Sequence, residues 1–256
     1  MGTKEFYDEV SPIYYRETFD GVHSLTSLGR SMRTQRVLEM MSRHLRPGAV
    51  VADLGCGPAQ FAEPLLKRAG SYIGIDISPE MFSRTASRLS ANPRVSFLEG
   101  SVEKIPLPAE SIDAILCIGV LEYLPTSTQA LREIHRTLKK SGVAIISFPS
   151  LWFPMFYLRA ALRPWVAPIL RRVFPQLRQT VYVSEIEHRI ISPGLFIREA
   201  KQVSFRVSEK VSHGFFPVLF NHRLSQSTLT IYTKLERFGE RVTPGMGANF
   251  IVCLEK

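Results

Sequence analysis

The segment Val50-Val51-Ala52-Asp53-Leu54-Gly55-Cys56-Gly57-Pro58 decides how this chain folds. Its first five residues, apolar except for Asp53, are a short run of the kind that fills a strand buried on both faces. Glycines at 55 and 57 then let the backbone turn sharply and come close to a ligand. Behind them Phe61, Leu65, Leu66 and Ala69 recur at three- to four-residue spacing, which predicts a helix. A helix that opens at such a turn aims its free amide groups at whatever the turn holds.

Working outward, the same alternation repeats. YIGID (72–76) reads as a second strand, and Ser78-Pro79-Glu80 opens a helix with a capping serine and proline at the first helical position. VSFLEG (95–100), IDAILCI (112–118) and VAIISF (143–148) are the next strands. A helix over 126–140, starting at Thr126 or Ser127 and stopping at Gly142, precedes the fifth. Five strands alternating with helices predict a parallel sheet wound by right-handed crossovers. Further on, the pattern predicts a helix at 193–201, a strand at 203–211, a helix near 224–238 and a last strand at 249–255. The chain reads as one domain with a helical cap (1–45), a ligand-binding core (46–148), a basic apolar insert (149–201) and a segment completing the sheet (202–256).

A length of 256 residues suffices for such a domain and its insert, and 45% hydrophobic against 21% charged residues is a globular balance that excludes extensive disorder. Cys56, Cys117 and Cys253 are odd in number and lack metal-ligand spacing, so they read as reduced thiols in a cytoplasmic protein. The opening MGTKEFYDEVSPIYY is acidic and aromatic, without the apolar stretch of a secretory signal. No run reaches the length and apolarity of a transmembrane helix.

Asp76 ends the second strand, 21 residues beyond Gly55, where a carboxylate can accept both hydroxyls of a ribose. A nicotinamide cofactor would call for a third glycine at position 60, where Gln60 stands, and would put the pyrophosphate near Asp53. A cofactor carrying an amino-acid ammonium group suits Asp53 instead.

These stretches resemble the class I S-adenosylmethionine-dependent methyltransferases, especially the ubiquinone and menaquinone methyltransferase branch. The likeness runs through FYDEVSPIY, VADLGCGPAQF, YIGIDISPEMF, FLEGSVEKIPLPAESIDAILCIGVLEYL and LREIHRTLKKSG. It implies a Rossmann-like, seven-stranded, mostly parallel sheet with its last strand antiparallel, helices on both faces, an N-terminal helical cap and a helical insert after strand five. It also implies S-adenosyl-L-methionine as cofactor. Asp53 would lie near its ammonium group, and Gly55, Cys56 and Gly57 would offer backbone to its methionine part. Asp76 would bind the ribose, Ile77 pack on the adenine, Ser101 and Val102 flank the adenine edge, and Cys117 lie near the sulfonium. Three residues depart from the family pattern. Ala59 replaces a common glycine, at little cost if it merely starts a helix; Ser101 replaces an aspartate; Tyr123 replaces a histidine.

Methyl transfer from a sulfonium needs the acceptor aligned behind the methyl group, and a base where the acceptor must lose a proton. His188 and Tyr123 are the candidate catalytic residues, and Tyr7 and Tyr14 candidate substrate contacts. His135 sits beside Arg132 and Arg136 on an amphipathic helix and reads as solvated; His213 and His222 carry no recognisable spacing. No metal is expected.

The formal charge of +9 is concentrated. Residues 151–178 hold Arg159, Arg163, Arg171, Arg172 and Arg178, both tryptophans (Trp152 and Trp165), and no acid. Aromatic and aliphatic side chains mixed with arginine suit an interfacial segment on an anionic membrane. They equally suit a lid whose arginines are solvated, and the two readings are compatible. Nucleic acid is not expected, because no recognised module accompanies the charge. The expected partner is a small-molecule acceptor, lipid-like or prenylated, with peripheral contact to the membrane's inner face. The alternatives are a soluble sugar or natural product as acceptor, or a non-catalytic protein that binds the cofactor.

Overall fold

Seven strands form one sheet in the order β3-β2-β1-β4-β5-β7-β6. They are β1 (Val50–Leu54), β2 (Ser71–Asp76), β3 (Val95–Glu99), β4 (Ile112–Ile118), β5 (Leu138–Pro149), β6 (Arg206–His213) and β7 (Asn249–Glu255). β1 to β5 pair in parallel, while β7 runs antiparallel to both β5 and β6. The computed structural model describes residues 2–22, 24–150, 189–215, 225–242 and 245–256. The arginine-rich segment 151–178, with Trp152 and Trp165, lies outside the described residues, as do His188 and His222.

The apolar runs of the central strands are buried on both faces, as their composition requires. Val51, Leu116, Ile145 and Ile251 pack with Val37, Met40 and Met41 of α2 (Leu25–His44) and with Leu65 of α3 (Ala62–Leu66). The alternate residues Ala52, Ile115, Ile146 and Val252 face the other way. They meet Leu131 and Ile134 of α5 (Thr128–Thr137) and Phe196 of α6 (Pro193–Gln202). This two-residue alternation makes a three-layer α/β/α core. Truncating a wholly buried residue such as Leu131 to alanine should cost about 2–5 kcal/mol. Two further helices matter for the site: α1 (Thr3–Phe19), the first part of the cap, and α4 (Pro79–Leu89), which follows β2. α7 (Gln226–Val242) lies between β6 and β7 in the chain.

Several features differ from the sequence reading, each for a specific reason. The helix expected over 126–140 ends at Thr137, because Leu138 pairs with Ile112 and is drawn into β5. The ladder then skips from Leu138 to Val143 through Ser141, whose φ is +62°. β6 begins at Arg206 rather than 203, since Val203 still caps α6 and Ser204 turns the chain at φ +69°. Ser78 precedes α4 without capping it: its hydroxyl donates instead to Asp8 Oδ1 on α1, at 2.5 Å. His135 is half-buried edge-on against Phe205, with ring centroids 5.1 Å apart, not freely solvated; burial lowers its pKa.

Candidate active site

The strand order reverses between β1 and β4, which opens a crevice at the carboxyl ends of those strands. The loop after β1 turns there through Gly55 (φ +65°) and Gly57 (φ +52°). A Cβ on Gly55 would lie 2.3 Å from Val120 Cγ2, so any side chain at 55 would collide with the loop after β4. The amides of Gly55 and Cys56 both donate to Ile75 O, at 2.7 and 3.0 Å, and tie this loop to the end of β2.

Asp76 holds the crevice from the β2 side. Its Oδ2 accepts the Gly57 amide at 2.8 Å and its Oδ1 the Ser78 amide at 3.0 Å. Burial pushes the Asp76 carboxyl up, and those two N–H groups oppose the shift. Asp53, at the end of β1, is deeply buried and accepts the Tyr72 hydroxyl at 2.6 Å. Burial, reinforced by the Asp76 charge and opposed by the Tyr72 hydrogen bond, raises its pKa to about 7. Ile77, the next residue after Asp76, is 40% exposed, an apolar surface beside the carboxylate. Ser101 accepts the Glu103 amide at 3.1 Å, and Val102 is buried next to it. Cys56 and Cys117 are buried thiols whose pKa values burial drives upward, so they act as packing groups rather than thiolates.

The tyrosines expected at the acceptor side come together. Tyr7 and Tyr123 meet edge to face at 5.6 Å, Tyr7 and Tyr14 at 6.2 Å, and the Tyr7 hydroxyl hydrogen-bonds to that of Tyr123. Burial and the donated bond push Tyr7 up strongly, while burial lifts Tyr123 to about 12. Neither phenol is therefore a phenolate at neutral pH. Tyr7 and its neighbour Asp8 bind residues after two different strands, Tyr123 following β4 and Ser78 following β2. α1 thus spans the crevice.

One residue the sequence reading passed over is the most unusual group here. Glu122 lies in the single turn Leu121–Tyr123 after β4, is 6% exposed, and its Oε2 has no hydrogen-bond partner. Burial raises its carboxyl to about 7 in spite of Arg33 nearby. Arg33 comes from α2, and its Nε is likewise buried without a partner. The two converge on Gly119, where a Cβ would lie 3.2 Å from Arg33 Nη1 and 3.5 Å from Glu122 Oε1. The Ser147 hydroxyl and His213 Nε2 are also buried and unpartnered at this end of the sheet. Burial and the cations of Arg33 and Arg36 hold His213 neutral, with a pKa of about 3. The one signal in the sequence was an acid inside the apolar run IGVLEYL. Among the described residues no group of three His, Cys, Asp or Glu side chains is placed to hold a metal.

The reversed strand order, the paired-glycine loop and the carboxylate at the end of β2 define a Rossmann-like methyltransferase domain. Residues 52–146 match the family model described as Methyltransferase domain. The matched segment is a methyltransferase domain of the class I S-adenosylmethionine-dependent kind, whose cofactor is S-adenosyl-L-methionine. It is 27% identical over 154 residues to a demethylmenaquinone methyltransferase of Chlorobaculum tepidum, covering 58% of this chain and 60% of that one. A demethylmenaquinone methyltransferase of Chlamydia caviae is 25% identical over 218 residues, 83% of this chain and 91% of its own. The fold superposes on magnesium protoporphyrin IX methyltransferase from Synechocystis with bound SAH at a TM-score of 0.66. That match has 13% identity and covers 99% of this chain and 97% of the other. The chain spans 39% to 60% of the length of four of the curated relatives it matches, the Chlorobaculum enzyme among them.

The residues present suit that cofactor. Gly55 leaves a backbone surface that a Cβ could not share with Val120, and Asp76 places a carboxylate at the crevice with Ile77 beside it.

Proposed function

We propose that the chain transfers the methyl group of S-adenosylmethionine to a small-molecule acceptor, lipid-like or prenylated, with Glu122 taking the acceptor's proton. The buried Glu122 carboxyl, whose Oε2 has no hydrogen-bond partner, beside the Tyr7–Tyr14–Tyr123 cluster carries this reading. When bound, the cofactor supplies a methyl group on a sulfonium, whose leaving group is a neutral thioether. Gly55, Cys56 and Gly57 offer backbone to its methionine part, and Asp53 acts on its ammonium group from below the loop. Asp76 accepts the ribose hydroxyls, Ile77 covers one adenine face, Ser101 and Val102 flank the adenine edge, and Cys117 packs near the sulfur.

Charge favours this arrangement. When bound, the cofactor would supply a positive sulfonium charge that is lost once its methyl group passes to the acceptor. The Glu122 carboxylate takes up the acceptor proton and loses its negative charge at the same time. Two opposite charges in a poorly hydrated site are replaced by neutral groups, so little reorganisation is required. A carboxyl near pKa 7 is matched to such a role at neutral pH. α1 excludes water from above through Tyr7 and Asp8. His188 is the competing base, and the arginine-rich segment 151–178 would cover the acceptor and touch an anionic membrane.

A lipid-like acceptor is supported by the aromatic wall and by the quinone-methylating relatives. The test is to incubate the purified protein and S-adenosylmethionine labelled on its methyl group with organic-phase and aqueous extracts of the producing cells. Label in the organic-phase products is expected. Label only in aqueous products would replace the lipid-like acceptor with a soluble one, and label in neither would overturn methyl transfer.

A further inference from the structure

We infer that α7 carries a surface for an anionic lipid bilayer, formed by Ile231, Leu235, Phe238 and Val242, flanked along one edge by Lys234 and Arg241, with Arg237 farther round the same side. At 3.6 residues per turn the four apolar positions fall within an arc of about 60°. They are exposed by 61%, 42%, 61% and 59%, so the stripe faces away from the protein along most of the helix.

The rotation of α7 is set by its opposite face. Leu229 packs with Leu28 of α2. Glu236 accepts the amides of Gly214 and Phe215, at 3.0 and 2.9 Å. Gly239 lies against the Phe215 ring so closely that a Cβ would come within 2.6 Å of it. Glu240 pairs with Arg36. Both acids of the helix are thus tied inward. Lys234, Arg237 and Arg241 are exposed and make no ion pair or hydrogen bond among the described residues.

An apolar stripe edged by unpaired cations, with no acid beside it, is complementary to lipid tails below anionic headgroups. A second copy of the chain fits it less well. Four side chains fall short of the roughly 800 Å² per partner of a stable interface, and a copy would bring the same cations with it on a chain of formal charge +9. This surface is distinct from segment 151–178 and independent of which acceptor is methylated.

The native cysteines are buried, so Leu235→Cys in the full chain can be labelled selectively with a polarity-sensitive dye. Ser87→Cys on α4 serves as a distant control. Phosphatidylcholine vesicles containing phosphatidylglycerol should sediment the protein and shift the 235 dye to the blue, leaving the 87 dye unchanged. Pure phosphatidylcholine vesicles should do neither. The K234Q/R237Q/R241Q variant should bind anionic vesicles on the order of a hundredfold more weakly. F238S should also weaken binding, and circular dichroism should show both variants folded. Sedimentation without a shift at 235 would assign lipid contact to another surface. A shift that grows with protein concentration alone, with a doubled mass in light scattering, would assign the stripe to a second copy. Absence of sedimentation at low salt would overturn the inference outright.

Discussion

The hydroxyl of Tyr72 on β2 donates to the carboxylate of Asp53 on the neighbouring strand β1 at 2.6 Å, within the apolar core beneath the glycine loop. This single bond is a small offset to the cost of burying a charge, and the Asp53 pKa stays near 7. The folded state therefore holds a proton that the unfolded state has released, between about pH 4 and pH 7. Stability should fall as pH rises through that window and level off above it. The unliganded protein is expected to lose up to a few kcal/mol between about pH 4 and pH 7. Asp53→Asn should flatten the profile in part, since Glu122 titrates in the same direction. Urea denaturation at a series of pH values measures this; equal slopes for wild type and Asp53→Asn would remove Asp53 as the cause.

Asp76 has two tasks. It ties the loops after β1 and β2 through the Gly57 and Ser78 amides, and it would accept the ribose. Asp76→Ala should weaken S-adenosylmethionine binding by about 1.5–3 kcal/mol for each charge-assisted bond lost. Isothermal titration, with thermal melting to confirm folding, gives the answer. A folded variant of unchanged affinity would refute the ribose assignment.

If Glu122 is the base, the rate should climb with pH through about 7 as the carboxyl ionises. Glu122→Gln should lower kcat by about 10²–10⁴-fold and abolish that limb, with cofactor affinity retained. His188→Ala provides the contrast. A large loss there, with Glu122→Gln still active and pH-dependent, would transfer the role to the histidine.

Ala59 stands in the left-handed region at φ +53° and is buried, so it does not start a helix as its composition suggested. Such a conformation costs an L-residue about 1–2 kcal/mol. Ala59→Gly should relieve that strain but gain unfolded-state entropy, leaving stability within about 1 kcal/mol of wild type. Ala59→Val should destabilise by more, since a β-branched side chain tolerates this backbone poorly. Equal denaturation midpoints for Ala59→Val and wild type would show that the turn is not constrained there.

The class of fold was legible in the chain because its signals are local. A short, largely apolar run, two glycines and the spacing of Phe61, Leu65 and Leu66 act over distances that neighbouring residues control. The antiparallel setting of β7 was implied by resemblance rather than by any local pattern. Asp76 could be singled out because the end of a parallel strand beside a reversed strand order is where a ligand meets a sheet. Glu122 could not, since nothing within its own turn buries it. Its surroundings come from Arg33 on α2 and from Tyr7 on α1, about ninety or more residues earlier in the chain. The end of α5 at Thr137, the bond from Ser78 to Asp8 and the outward setting of the α7 stripe belong with it. Each is decided by a partner distant in sequence, against which local propensity is a weak force. Sequence periodicity determined which residues form the layers, whereas tertiary packing alone decided which charges those layers enclose and which they leave facing outward.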